Sequence, residues 1–381
     1  VEQAGDVGGV ATTGLMSHWT GNTKGGFYEE ILERCTGPTK KLINPEELKT
    51  IMLEMLDEAG VKLQLYTFAS DVIVEDNAVK GVIIESKSGR EVILAKVIID
   101  CTGDGDIAAK AGVPFVKGRG IDGKMQPMTL MFKVAGVDME IAVFPGSFED
   151  NIKIEKGYIQ DLGKQNIPHP AGHVLLYPSN IPGVVTCNMT NVIEVDGTKS
   201  EDLTKATIAT RRQIKPIVKF LREFVPGYEN CYPISSASII GVRETRHFKG
   251  EYTLTEEDIL QARIFDDWIV TKAHFNFDVH NISGSGLDET GVQKHFKQPQ
   301  GYTIPYRCLV PINIDNLLLA GRNISGTHMA HSNYRVMPIC ANMGQAAGIA
   351  SALAVKENVL PRDLDVKAIQ EVLKENGVDI D

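Results

Sequence analysis

The sequence predicts an α/β fold, and three observations carry that prediction. Leu317-Leu318-Leu319-Ala320 is a short apolar run stopped by Gly321, the pattern of a buried strand. After an irregular polar segment, Pro338 opens a long apolar stretch containing Gly344, Ala346, Ala347, Gly348, Ala350 and Ala352. Proline suits the first helical turn, where its missing N–H would have had no partner, and the small residues let the helix approach a neighbour closely. Residues 61–100, finally, read as successive strands. A strand, a turn and a helix whose free N–H groups face that turn make a place for an anion or an electron-rich oxygen. A helix packed on a sheet with no ligand would carry the same small residues.

Composition narrows the class. A chain of 381 residues is long enough for a large core and two domains. A hydrophobic content of 43% beside 23% charged residues is that of an ordinary globular enzyme. The net charge of -10 argues against nucleic acid as a partner, because little here would neutralise phosphates. The six cysteines (35, 101, 187, 231, 308 and 340) form no C-x-x-C pair, which argues against a zinc site or a cluster and for a reducing compartment. No metal site is expected. No apolar stretch reads as an uninterrupted membrane span and no signal peptide opens the chain, so the cytoplasm is the expected compartment.

The elements follow in order. In a dinucleotide-binding βαβ unit, an acidic residue at the end of the second strand holds the ribose hydroxyls, about 20 residues after a glycine-rich turn. Glu2 stands where such an acid would stand, and Gly5, Gly8 and Gly9 follow in EQAGDVGGVATTG. A surface loop that uses its glycines in a turn fits that string equally well. Asn44 to Gly60 is a helix: Asn44 caps it, Pro45 takes the first position, Glu47 completes a capping box, and Leu48, Ile51, Met52, Met55 and Leu56 share one face. Strands then fill 61–76, 78–89 and 90–100, with turns at Asp76-Asn77 and Ser88-Gly89. Gly103-x-Gly105-x-x-Ala108 formally matches a dinucleotide fingerprint. Its helix meets Gly112 and Pro114 within about two turns, too short for a crossover to a parallel strand. Asp104 and Asp106 read as helix-capping groups rather than metal ligands. Thr204 to Phe224 is a helix, broken or kinked at Pro216. Further on, Arg243 and Arg246 lie three apart, and Asp278 and His280 alternate along what reads as a strand. A surface salt-bridge set with Glu244, Glu256 and Glu257 accounts for the arginine spacing as well as a site does. The tail after Pro361 is an amphipathic packing helix.

Several strings together carry a resemblance. AGRNISGTH followed by YRVMPICANMGQAAG resembles the C-terminal flavin-contacting segment of FAD-dependent oxidoreductases of the glutathione-reductase-like superfamily. The acid-then-Gly-Gly start, Cys101-Thr102-Gly103 at a strand end, Gln126-Pro127-Met128-Thr129, the stretch 239–288 and Gly301 to Arg307 resemble other segments of that family. The resemblance implies a Rossmann-like FAD-binding domain of the glutathione-reductase type, with an inserted α+β substrate domain. The implied limits are 1–135 and 301–381 for the FAD domain and 136–300 for the insert. It also implies that the sequence lacks the first strand, glycine turn and first helix of the unit.

FAD is the implied cofactor. Its implied contacts are Glu2, Gly8, Gly9, Thr102, Gly103, Asp104, Gly321, Arg322, Arg335, Val336 and Met337. Gly321-Arg322 replaces the Gly-Asp of many relatives, and a cation there cannot accept from a ribityl hydroxyl. The implied activity is hydride transfer between a small organic substrate and the flavin, which needs a group to move a proton. His280, Arg243 and His331 are the expected catalytic residues, with His328 and His18 as further histidines in matching segments. Arginines 243, 246, 307 and 335 are candidates to hold a carboxylate or other anion. An electron-transfer subunit working with a redox partner protein, or a form serving only in assembly, remains open, as does a homo-oligomer.

Overall fold

The computed structural model describes residues 1–36, 42–287 and 301–380. Its helices and sheets are mixed, as an α/β chain requires. Leu317–Leu319 is a strand with every residue buried, and it runs parallel to Ile98–Asp100, with Leu317 opposite Ile98. Before that pair comes an antiparallel meander of Phe68–Glu75, Ala78–Ser86 and Gly89–Leu94. Its first turn is Asp76-Asn77, both residues at positive φ, the backbone a two-residue hairpin needs. The second turn sits one residue earlier than the sequence suggested, because Ser86 pairs with Gly89 across Lys87-Ser88.

Residues 61–67, expected as strand, are not part of the meander. Their main chain bonds instead to the start of the sequence: Glu2 N to Gln64 O at 2.9 Å, Tyr66 N to Ala4 O at 3.2 Å and Thr67 N to Glu2 O at 3.0 Å. A partner this short and irregular satisfies the polar groups without making a regular ladder.

The helix predicted after Asn44 spans Pro45–Glu58, with the Asn44 side chain accepting from Glu46 N. The small-residue helix is Met337–Glu357, entered through Val336, with its proline in the first turn. By length and composition this helix could cross a membrane. It is instead the spine of the larger core: Ile339, Met343, Ala346, Ala347 and Ala350 are buried there with Leu317, Leu318 and Leu319. Helix Ser200–Phe224 starts four residues before the expected Thr204 and runs unbroken through Pro216.

Two main cores result. The larger joins Val79–Val113 to residues 248–378. The other packs a four-stranded antiparallel sheet, in the order Tyr232–Ser236, Phe132–Ala135, Val185–Cys187 and Leu176–Pro178, against helix Ser200–Phe224. Phe132–Ala135 therefore belongs to the second core, while Phe248, Trp268, Ile269 and Phe277 belong to the first. Packing thus crosses the expected limits at 135 and 300.

Candidate flavin and substrate site

The carboxyl ends of the parallel pair converge. Asp100 is fully buried; its carboxylate accepts from Thr102 N at 3.0 Å, Thr102 Oγ1 at 2.7 Å and Ala108 N at 2.8 Å. Asp100 and Thr102 therefore satisfy the start of the short helix Asp106–Lys110, since Asp106 N also donates to Thr102 Oγ1. The capping role expected of Asp104 and Asp106 is thus filled by others. Asp104 accepts from Thr245 Oγ1 at 2.7 Å and Arg322 Nη2 at 3.1 Å, while Asp106 pairs with Arg246 at 2.8 Å.

Gly103 has φ +81, and a Cβ there would lie 2.7 Å from Arg322 Nη2, so a side chain would collide with the guanidinium. Gly321 shares the left-handed conformation, at φ +103. Arg322 Nη1 is buried with no partner, as is Arg335 Nε. Close backbone at two strand ends, with unused buried donors beside it, suits an electron-rich group lying against the chain.

Val336 and Met337 open the long helix, whose N-cap side chain supplies no hydrogen bond. Met337 packs with Ala11, which follows Gly8 and Gly9. Both glycines are at positive φ, and a Cβ on Gly8 would lie 2.7 Å from Met52 Sδ. Residues 8–11 and 336–337 are therefore brought together. Glu2 is not joined to the strand ends by any such contact: its carboxylate accepts from Ala4 N at 2.7 Å, and its main chain is tied to Gln64 and Thr67.

The expected catalytic residues fall into two buried networks. In one, His280 Nε2 lies 3.2 Å from Asp278 Oδ2, and Arg335 Nη2 bonds the same oxygen at 2.9 Å and Asp278 O at 3.0 Å. Arg243 is also buried there, its Nη1 donating to Pro127 O at 2.6 Å. Phe148 stands edge-on to both His280 and His173. Burial and the nearby Arg243 push His280 down to about 4, although Asp278 pulls the other way. Burial lowers His173 to about 3 and raises Tyr177 to about 12. Asp278 itself lies well below the usual carboxylate range: burial opposes this, and His280, Arg335 and Arg243 outweigh it. His18 stacks flat on Tyr177, with ring centroids 4.5 Å apart.

His331 belongs to the other network, not beside His280. Glu244 Oε1 bonds His247 Nε2 at 2.8 Å and His328 Nδ1 at 2.5 Å, and the His331 ring meets that of His247 at 4.7 Å. Ligand atoms of Glu244, His247 and His331 lie within 4.8 Å of one another, close enough to hold a metal ion. No spacing in the chain marks this group, because Glu-x-x-His and His-x-x-His stand more than 80 residues apart. Glu244, fully buried, is no member of a surface salt-bridge set. Gln126 joins the networks: its N donates to Glu244 Oε2 at 3.0 Å, and its Oε1 accepts from His280 N at 3.1 Å.

Sequence reasoning missed His173, Tyr177 and Asn188, which lie in the second core or beside it and carried no motif. Two surface clefts, one lined by Lys124, Glu194 and Asp196 and the other by Ile264, Lys272 and Tyr302, share no residue with either network.

The family model described as FAD dependent oxidoreductase matches residues 1–373. The chain belongs to that family. FAD is accordingly its cofactor. No curated protein matches. Among solved structures, the chain is similar to a geranylgeranyl bacteriochlorophyll reductase-like protein from Thermoplasma acidophilum, at 11% identity and TM-score 0.44, covering 89% of this chain and 61% of that one. It is also similar to p-nitrophenol 4-monooxygenase from Pseudomonas putida, at 11% identity and TM-score 0.40, covering 89% and 59%. The chain thus spans about three fifths of the length of those structures.

Proposed function

We propose that the protein transfers a hydride between a small organic substrate and FAD, with His280 moving the accompanying proton. The single observation that carries this reading is the chain His280–Asp278–Arg335. It leads from a neutral, buried imidazole directly to the residue before Val336, where the helix start faces the Gly8–Gly9 loop. A Rossmann-like arrangement of the glutathione-reductase type suits the parallel strand pair and the meander, with the flavin along Gly103, Arg322 and Val336-Met337. Bound FAD supplies the two-electron acceptor or donor.

The protein's own part is positional and protic. Asp278 accepts from His280 Nε2, which fixes the tautomer and leaves Nδ1 with the lone pair of a base. In the oxidising direction, a substrate C–H beside an O–H gives up its hydride, the oxygen's proton passes to Nδ1, and a C=O bond forms. The reverse sequence reduces a double bond. Burial and Arg243 hold His280 neutral at pH 7, so its ring carries a free lone pair, and the same surroundings make it a weaker base than an ordinary histidine.

Anaerobic bleaching of the flavin near 450 nm, against a panel of alcohols, hydroxy acids and enones, tests this. His280→Gln should keep the oxidised flavin spectrum and lose about 10² to 10⁴-fold in bleaching rate with any active substrate. Bleaching at the wild-type rate would remove His280 from the reaction.

A further inference from the structure

Four arginines were candidates to hold an anion, and the structure separates them. Arg246 is paired with Asp106 at 2.8 Å, Arg307 with Asp267 at 2.9 Å and Arg335 with Asp278 at 2.9 Å. Among the described residues, Arg243 has no carboxylate partner within ion-pair distance. Its one bond is to a carbonyl, Pro127 O, although the residue is only 9% exposed. The neighbouring carboxylate, Glu244, is turned away to His247 and His328.

The groups around Arg243 do not neutralise it. Among the described residues, Asp278 is the one carboxylate in the His280 network, and it faces both Arg335 and Arg243. His280 and His173 are held neutral by burial, and Tyr177 keeps its proton. Two guanidinium groups against one carboxylate leave a net positive charge in a dry place. Burial and Arg335 weaken Arg243's hold on its proton only to about 10, so it stays charged at pH 7. A buried guanidinium without a counter-ion is costly, and a bound anion removes that cost.

Around this charge lie more unused polar atoms. Asn188 Oδ1 and Gln126 Nε2 are buried without a partner, and the His173 ring nitrogens make no bond of good geometry although the ring interacts with the Asn188 main chain. His173 and Tyr177 both feel the charge of Arg243, which places the guanidinium on the side of the second core rather than at the strand ends where Arg322 lies.

We propose that Arg243 is the anchor for a carboxylate on the substrate. This deepens the reading of His280 and rests on it. The planar fork of the guanidinium matches a carboxylate in two parallel hydrogen bonds, and the unpaired donor of Gln126 and the ring of His173 finish its coordination. Specificity then has a physical source: a neutral analogue leaves Arg243 buried and uncompensated, so it is rejected more strongly than any loss of contact area would give.

The test uses FAD-loaded protein and calorimetric titration with acetate, succinate and benzoate, with acetamide, succinamide and benzamide as neutral matches. At least one acid should bind at least about tenfold more tightly than its amide, a difference of about 1.4 kcal/mol. Arg243→Gln should abolish that preference while keeping the FAD content of the wild type, and Arg243→Lys should restore part of it. Equal binding of acids and amides, no acid binding at all, or an unchanged preference in Arg243→Gln overturns the proposal. Loss of FAD in both Arg243 variants overturns it too, since the anion held would then be the cofactor's. His280→Gln separates the two readings. If it keeps the acid preference and no acid bleaches the wild-type flavin, the anchor stands and the assigned chemistry fails. If a neutral substrate bleaches the flavin with full dependence on His280, the chemistry stands and the anchor fails.

Discussion

The two buried networks are built from the same parts and have opposite electrostatics. Around Glu244, one carboxylate oxygen serves two imidazoles and the other takes a main-chain N–H, so the charge has partners on every side. Around Asp278, one carboxylate faces two guanidinium groups and a neutral histidine. In the first, the closed network, the carboxylate is satisfied, although Nδ1 of His247 and Nδ1 of His331 are buried without a partner. The second is short of negative charge and rich in unused donors. Histidine alone does not mark a reactive site, then: what matters is whether the protein has already satisfied its neighbours.

The largest expected effect comes from breaking the closed network. Burial alone would raise the Glu244 carboxyl, yet hydrogen bonds from His247 and His328 hold it well below the ordinary range. Glu244→Gln removes that buried charge and leaves two imidazoles competing for one amide oxygen. Chemical denaturation should show a loss of about 3 kcal/mol or more. A loss below about 1 kcal/mol would mean that the network is not the closed hub described here.

Acid should loosen the open network next. In the unfolded chain His280 and His173 titrate near 6.5, whereas in the native state they hold protons only below about 4 and about 3. Between those values the unfolded state binds more protons, so their contribution is fully present above pH 6.5 and falls away as pH drops. At pH 5.5 the two groups together should cost about 2 kcal/mol relative to pH 7, at about 1.4 kcal/mol per group per pH unit. His280→Gln should flatten that slope by roughly half. A flat stability profile between pH 7 and 5.5 would contradict the burial assigned to both imidazoles.

Local pattern was enough for much of the fold. The buried strand at Leu317, the helix capped by Asn44, the Asp76-Asn77 hairpin and the small-residue helix all follow from short-range rules. Pro216 shows where those rules stop, since tertiary packing of Ile217, Phe220 and Leu221 carries the helix through it. The site was legible only in its family strings. Those strings singled out Gly103, Arg322, Arg335, Val336 and His280 as candidates, but they could not say which arginine would be left without a carboxylate, because Asp106, Asp267 and Asp278 reach their partners across as many as 140 residues. His331 lies apart from His280 for the same reason: spacing along the chain does not report which carboxylate a histidine will meet. His173 and Tyr177 come from strands and loops with no motif, and only burial beside Arg243 marks them.

The smallest effect is expected at Gln126, the residue that touches both networks. Its main-chain N, which alanine keeps, holds Glu244 Oε2, while its side-chain Oε1 accepts from His280 N. Gln126→Ala therefore leaves one buried N–H of the open network without an acceptor and should cost about 1 kcal/mol. Because the Glu244 contact runs through the backbone, the cost of Gln126→Ala and that of Glu244→Gln should add to within about 0.5 kcal/mol in a double-mutant cycle read by denaturation. A larger coupling would show that the closed and open networks respond as one unit, and that the charge on Glu244 reaches His280 through the bridge.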